Sequence, residues 1–157
     1  LVRKYYNDAS KRGIDQQQNR AEERWTMALN EAETDRSYLF GRVLAYAEEL
    51  ERCALREAGE NRETNAQRLR FQYVQHPAKT LDILYGRLEP YINRLREKAN
   101  WYLPDMRRVA AQIPLEDYTD EPLQEQYLLG YFCQLNAFRE EMLKRQEAKK
   151  IKAMEEE

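Results

Sequence analysis

Between Arg36 and Ala58, the residues Leu39, Val43, Tyr46, Ala47, Leu50, Cys53 and Ala54 recur at intervals that place side chains on one face of an α-helix. Asp35 stands ahead of them as an N-cap and Gly59 beyond as a stop, so the pattern predicts a helix over residues 36–58. An apolar stripe of that length must be covered by other elements, and no alternating strand pattern longer than a few residues occurs in the chain to cover it. The predicted fold class is therefore all-α, a bundle of about five helices. Gly41 lies inside the stripe; glycine costs about 1 kcal/mol in a helix interior, and its expected role is close approach by a neighbouring helix or backbone.

The remaining helices follow from capping and proline signals. Thr64 and Gln67 have the spacing of a capping box and open a short helix through Arg68, Phe71 and Val74. Pro77 follows His76 and suits a first helical turn, where its missing N–H would be unpaired anyway. It starts a helix with Leu81, Leu84, Leu88, Ile92 and Leu95 inward, which Pro90 is expected to kink or interrupt. Residues 98–112 form a further helix around Pro104, or else Pro104 starts a second segment carrying Met106, Val109, Ala110 and Ile113. An acidic, proline-rich loop then runs from Ile113 to Pro122, and Asp120 with Pro122 leads into a long last helix. Its stripe is Leu128, Tyr131, Leu135, Phe138 and Met142. With 157 residues and 42% apolar content, one core can form without disulfides or metals. The predicted organisation is a single helical domain over 1–157: a polar, helical segment at 1–30, a core bundle at 31–145 and a fraying polar tail at 146–157.

Sites for chemistry are scarce. The lone histidine, His76, precedes a proline in a turn between helices, where a ring more often caps backbone groups than abstracts protons. No nucleophile elbow, zinc-protease, phosphate-loop or dinucleotide motif is present. The carboxylates cluster at helical spacing, as in Glu48-Glu49-Glu51 and Glu140-Glu141, and such runs are expected to be solvated faces. Cys53 and Cys133 are far apart and outside any C-x-x-C pattern, so both are expected to be small buried hydrophobes. The expectation is a binding protein with no catalytic residue, no metal and no cofactor. No run approaches the roughly 20 apolar residues of a membrane span and the N-terminus lacks a signal-peptide pattern, so a cytoplasmic location is expected.

The net charge of −2 argues against a protein that grips nucleic acid with its whole surface. Its distribution is uneven: residues 31–60 are net −4, residues 61–112 net +5 and residues 113–157 net −5. Basic residues of the middle segment are interleaved with Phe71, Tyr73, Tyr85, Tyr91, Trp101 and Tyr102, a mixture that can meet phosphates and offer stacking faces, although aromatics at these spacings also build cores. The candidate nucleic-acid contacts are Arg42, Arg68, Arg70, Lys79, Arg107 and Arg108. Arg42, next to Gly41 on a largely apolar helix, fits pairing with Glu48 or another buried-side carboxylate equally well.

Four blocks carry a resemblance: Tyr38 to Glu48 (YLFGRVLAYAE), Arg62 to Leu69 (RETNAQRL), His76 to Thr80 (HPAKT) and Tyr127 to Gln134 (YLLGYFCQ). In this order and spacing they resemble the C-terminal region of the large subunit of the type I-C CRISPR Cascade (Csd family). In that family the same stretch is also made as a separate small subunit from an internal start. Leu1 fits either a non-standard start codon or a fragment boundary. The resemblance implies a helical antiviral-defence subunit that stacks along the complex beside copies of itself, contacts the backbone and large subunits, and stabilises the RNA-guided R-loop through the DNA; the alternatives are an excised C-terminal domain of the large subunit and a helical scaffold or adaptor that binds only proteins. R-loop formation is a nearly balanced exchange of duplexes, so modest backbone contacts can tip it. The PAM-reading portion of the large subunit is not part of the resemblance. One departure is Phe132, where the family commonly has a histidine.

Overall fold

Asp35 accepts a hydrogen bond from the Tyr38 amide at 3.0 Å and so starts the first helix, α1 (Arg36–Glu57). The helix stops in a Schellman motif: the Glu60 amide donates to the Leu55 carbonyl and the Gly59 amide to the Arg56 carbonyl, with Gly59 at φ +68°. In the computed structural model, residues 28–156 are described, and the elements after α1 are α2 (Asn65–Arg68), α3 (Arg70–Gln75), α4 (Pro77–Leu95), α5 (Leu103–Ala111) and α6 (Gln126–Glu155). A two-turn 3-10 helix lies at Arg96–Trp101 and a single 3-10 turn at Leu115–Asp117. Among the described residues the regular structure is entirely helical. The expected helix over residues 1–30 falls outside them, apart from Ala28–Asn30, which are not helical.

Helix α1 is the axis of the bundle. It packs along α6, against α4 and α5, and at its C-terminal half against α2. Surrounded in this way, it buries nearly its whole circumference, from Ser37 through Glu51. The closest crossing is with α6 and is made by two glycines. A Cβ at Gly41 would overlap the Tyr127 carbonyl and lie 2.8 Å from the Tyr131 amide nitrogen, while one at Gly130 would overlap the Tyr38 carbonyl. The two backbones touch there, which is the close approach expected at Gly41.

Thr64 and Gln67 form the capping box, with the Thr64 hydroxyl accepting from the Gln67 amide and Gln67 Oε1 accepting from the Thr64 amide. The short helix beyond is divided at Leu69, whose φ −94° and ψ 8° stay close to helical geometry. Pro77 occupies the first turn of α4, and Leu81, Leu84, Leu88 and Leu95 are buried with Ile92 half-buried. Pro90 does not interrupt α4. The residue four positions earlier is Gly86, exposed and without a side chain, so its unpaired carbonyl can be met by water. Pro104 starts α5, the second of the two arrangements expected for that region.

The last helix differs from expectation at both ends. It begins at Gln126, and Asp120 caps another helix instead: its Oδ1 accepts from the Lys79 amide, in the first turn of α4, at 2.9 Å. The buried face of α6 is Tyr127, Gly130, Tyr131, Cys133, Gln134 and Phe138, whereas Leu128 and Met142 are exposed. After Phe138 every described residue is exposed, yet the helix runs on to Glu155. Glu, Ala, Lys and Gln in the last turns are strong helix formers, so local propensity holds a segment that tertiary packing does not. Among the described residues no helix is long and apolar enough to cross a membrane.

Candidate nucleic-acid interface

The six basic residues expected to meet DNA do not form one strip. Arg42 is buried (3% exposed) between α1 and α6, where its Nε donates to Gln134 Oε1 at 2.9 Å. That placement removes it as a surface contact, and its partner is an amide instead of a carboxylate. Lys79 is exposed, but the acidic 117–121 loop lies beside it through the Asp120 cap. Arg107 borders a groove between α4 and α5 together with Tyr85, Ile92 and Met106. Arg108 faces a different hollow, pairs with Asp105 at 2.7 Å and has Glu140 and Glu141 across from it on α6.

Arg68 and Arg70 behave differently. Arg68 is exposed on α2, and Arg70 lays its guanidinium over the rings of Tyr131 (4.6 Å to the centroid) and Phe132 (5.5 Å) on α6. Its Nε is buried and makes no hydrogen bond, so stacking holds the group. Phe132 also lines a groove of about 450 Å³ between α1 and α6 whose basic residues are Arg52, Arg56 and Arg139. Arginines from three parts of the chain therefore converge beside aromatic faces. Among the described residues no carboxylate lies within ion-pair distance of Arg68, Arg70 or Arg139. The segment 64–81, which carries Arg68, Arg70 and Lys79, contains no Asp or Glu at all. That absence is a sequence signal that charge totals over longer windows conceal.

Beneath this surface lies a layer of buried carboxylates. Glu48, Glu49 and Glu51 are 1%, 8% and 2% exposed, which corrects their expected place on a solvated face. Each has its own partners. Glu48 accepts from the Tyr131 hydroxyl at 2.6 Å and pairs with Arg52 at 3.5 Å. Glu49 pairs with Arg56 at 2.9 Å and accepts from the Cys53 thiol. Glu51 accepts from the Asn65 amide at 2.7 Å and from its side-chain amide at 2.9 Å, tying the start of α2 to α1. The negative end of this contact meets a helix N-terminus, where a carboxylate is favoured. Tyr73 adds a second tie by donating to the Phe40 carbonyl at 2.6 Å. The α2–α3 segment is thus fastened to α1 at two points and to α6 through Arg70.

The electrostatics follow from this burial. Desolvation pushes the Glu48 carboxyl above its ordinary range, against the lowering pull of Tyr131, Arg52 and Arg70. Burial likewise raises Tyr131, with the Glu48 contact adding to it. The Cys53 thiol is pushed up to about 11 by burial and then by Glu49. Cys53 is half-buried and Cys133 buried, both free. His76 is exposed, and its ring makes no capping hydrogen bond, contrary to the role expected for it. Among the described residues no group of His, Cys, Asp or Glu is arranged to hold a metal ion.

Residues 1–139 match the family model described as CRISPR-associated protein (Cas_Csd1). The chain belongs to the Csd1 family of type I-C CRISPR-associated proteins. The match takes in α1 to α5 and α6 as far as Arg139, the position at which this Csd1-family chain ceases to bury residues of α6. No curated protein and no solved structure matches the chain. Within the family match lie both close-packed glycines, the capping box and the stacked Arg70.

Proposed function

We propose that this Csd1-family chain is a non-catalytic, cytoplasmic small subunit of a type I-C Cascade. It stacks beside its own copies against the backbone and large subunits and stabilises the R-loop by contacting DNA phosphates. The observation that carries this reading is the convergence of Arg70 with Arg139, Arg52 and Arg56 beside Tyr131 and Phe132, next to the segment 64–81, which carries Arg68 and contains no acidic residue. Guanidinium groups in such a cluster meet phosphate oxygens in bidentate fashion and carry no sequence information. That suits a complex whose sequence reading is done by the guide RNA. With a net charge of −2, the free chain binds DNA weakly, and the cluster acts where the assembly brings DNA to it.

Two of these arginines can be reversed without disturbing the core. Arg68 and Arg139 are exposed and have no ion-pair partner among the described residues, so Arg68→Glu with Arg139→Glu leaves the helical signal and melting temperature close to those of the parent chain. In the guide-loaded complex the double variant weakens target binding at moderate salt and flattens the dependence of log affinity on log salt by about one to two units. An unchanged slope excludes both residues as phosphate contacts. Arg70 is not suited to this test, because its removal uncovers Tyr131 and costs roughly 1–2 kcal/mol of stability.

A further inference from the structure

Phe71 follows Arg70 in sequence and is 87% exposed, an unusual position for a phenylalanine ring in a bundle that buries Phe40 and Phe138. The break between α2 and α3 does not displace it from the surface they share. The Leu69 amide donates to the Asn65 carbonyl and the Tyr73 amide to the Leu69 carbonyl, so helical phase is kept across Leu69. Arg68, Phe71 and Gln75, spaced by three and four, then lie on one face, and all three are exposed. The segment beneath is held by Glu51, Tyr73 and the Arg70 stack, so the ring is presented from a fixed helix. A rigid ring beside an exposed guanidinium, in a stretch without acidic residues, combines the two groups that hold single-stranded nucleic acid: a stacking face for a base and a cation for the adjoining phosphate.

We infer that Phe71 is a stacking platform for a base of unpaired DNA, with Arg68 on the neighbouring phosphate. This inference rests on the proposed DNA-binding role and deepens it: the partner of this face is a single strand. A base inside a duplex keeps its own stacking partners and has no face to offer Phe71, whereas phosphates are present in both forms. Aromatic stacking is indifferent to which base is presented, so the platform adds affinity without adding sequence preference.

The test measures binding of the purified full chain at low ionic strength to a labelled oligo(dT) and to a duplex of the same length, by fluorescence anisotropy. Phe71→Ala is expected to weaken oligo(dT) binding by about tenfold while leaving duplex binding and the salt slope in place. Phe71→Tyr restores the affinity, and Arg68→Glu weakens both ligands. Equal oligo(dT) binding by Phe71→Ala and the parent chain overturns the platform, even where Arg68→Glu shows that phosphate contacts exist. Loss of co-purification of Phe71→Ala with the other Cascade subunits also overturns it, since the ring is then a protein anchor. Failure of the parent chain to bind oligo(dT) at low salt overturns the platform, whereas the DNA-binding role within the assembly is decided by the salt slope of the Arg68→Glu, Arg139→Glu complex.

Discussion

Glu48 shows how far the position of one residue departs from what its neighbours in sequence suggest. In sequence it belongs to a charged run with Glu49 and Glu51; in the fold it is 1% exposed and bonded to Tyr131. Its carboxyl is raised by desolvation, so the folded state holds the proton more tightly than the unfolded chain. The associated stability is fully present below the ordinary carboxyl range near 4.5 and is lost as the pH rises through the raised value. Glu48→Gln keeps an oxygen to accept the Tyr131 hydroxyl and cannot ionise. Urea unfolding at a series of pH values should therefore show the variant gaining on the parent chain between pH 4 and neutrality; a difference that stays constant, or moves the other way, contradicts the burial argument. The same environment explains why Glu48 is illegible as an interior group from its neighbours in sequence. Helical spacing identifies the apolar stripe, but α1 is covered on nearly all sides, and nothing local marks a helix that buries its charged positions too.

At the scale of elements, the signals that could be read were the local ones. The Asp35 cap, the Thr64–Gln67 box, Pro77 at a first turn and Gly59 at a stop each act within a few residues, and each stands where the sequence puts it. Gly41 was legible as a point of close approach, but its counterpart Gly130 was not, because pairing two helices distant in sequence is a tertiary event. Their contact makes a sharp prediction. Gly130→Ala places a methyl group against the Tyr38 carbonyl, backbone that cannot yield without parting α1 from α6. A loss of about 3 kcal/mol in chemical denaturation is expected. A loss below about 0.5 kcal/mol would mean that the helices do not meet through these glycines. The start of α6 differs from the expected one for a related reason. Asp120 has the chemistry of a cap, and only the fold decides that it serves α4.

For the whole molecule, the candidate interface was legible in part. Arg68 and Arg70 are conspicuous by charge, whereas Arg52, Arg56 and Arg139 line the groove beside the Phe132 ring on which Arg70 stacks, reach it from α1 and α6, and carry no common sequence signature. Lys79, Arg107 and Arg108 share the positive middle segment with Arg68 and Arg70, yet they are dispersed over other faces, since successive helical positions turn away from one another. A bundle built around one enclosed helix, with basic and aromatic groups at its surface, suits the proposed role as a fixed support for DNA. The most direct measurement is target-DNA binding by the guide-loaded type I-C complex, purified with and without this polypeptide while the full-length large subunit is retained. Weakened or lost R-loop formation is expected when the polypeptide is missing, and undiminished R-loop formation would contradict the proposed role.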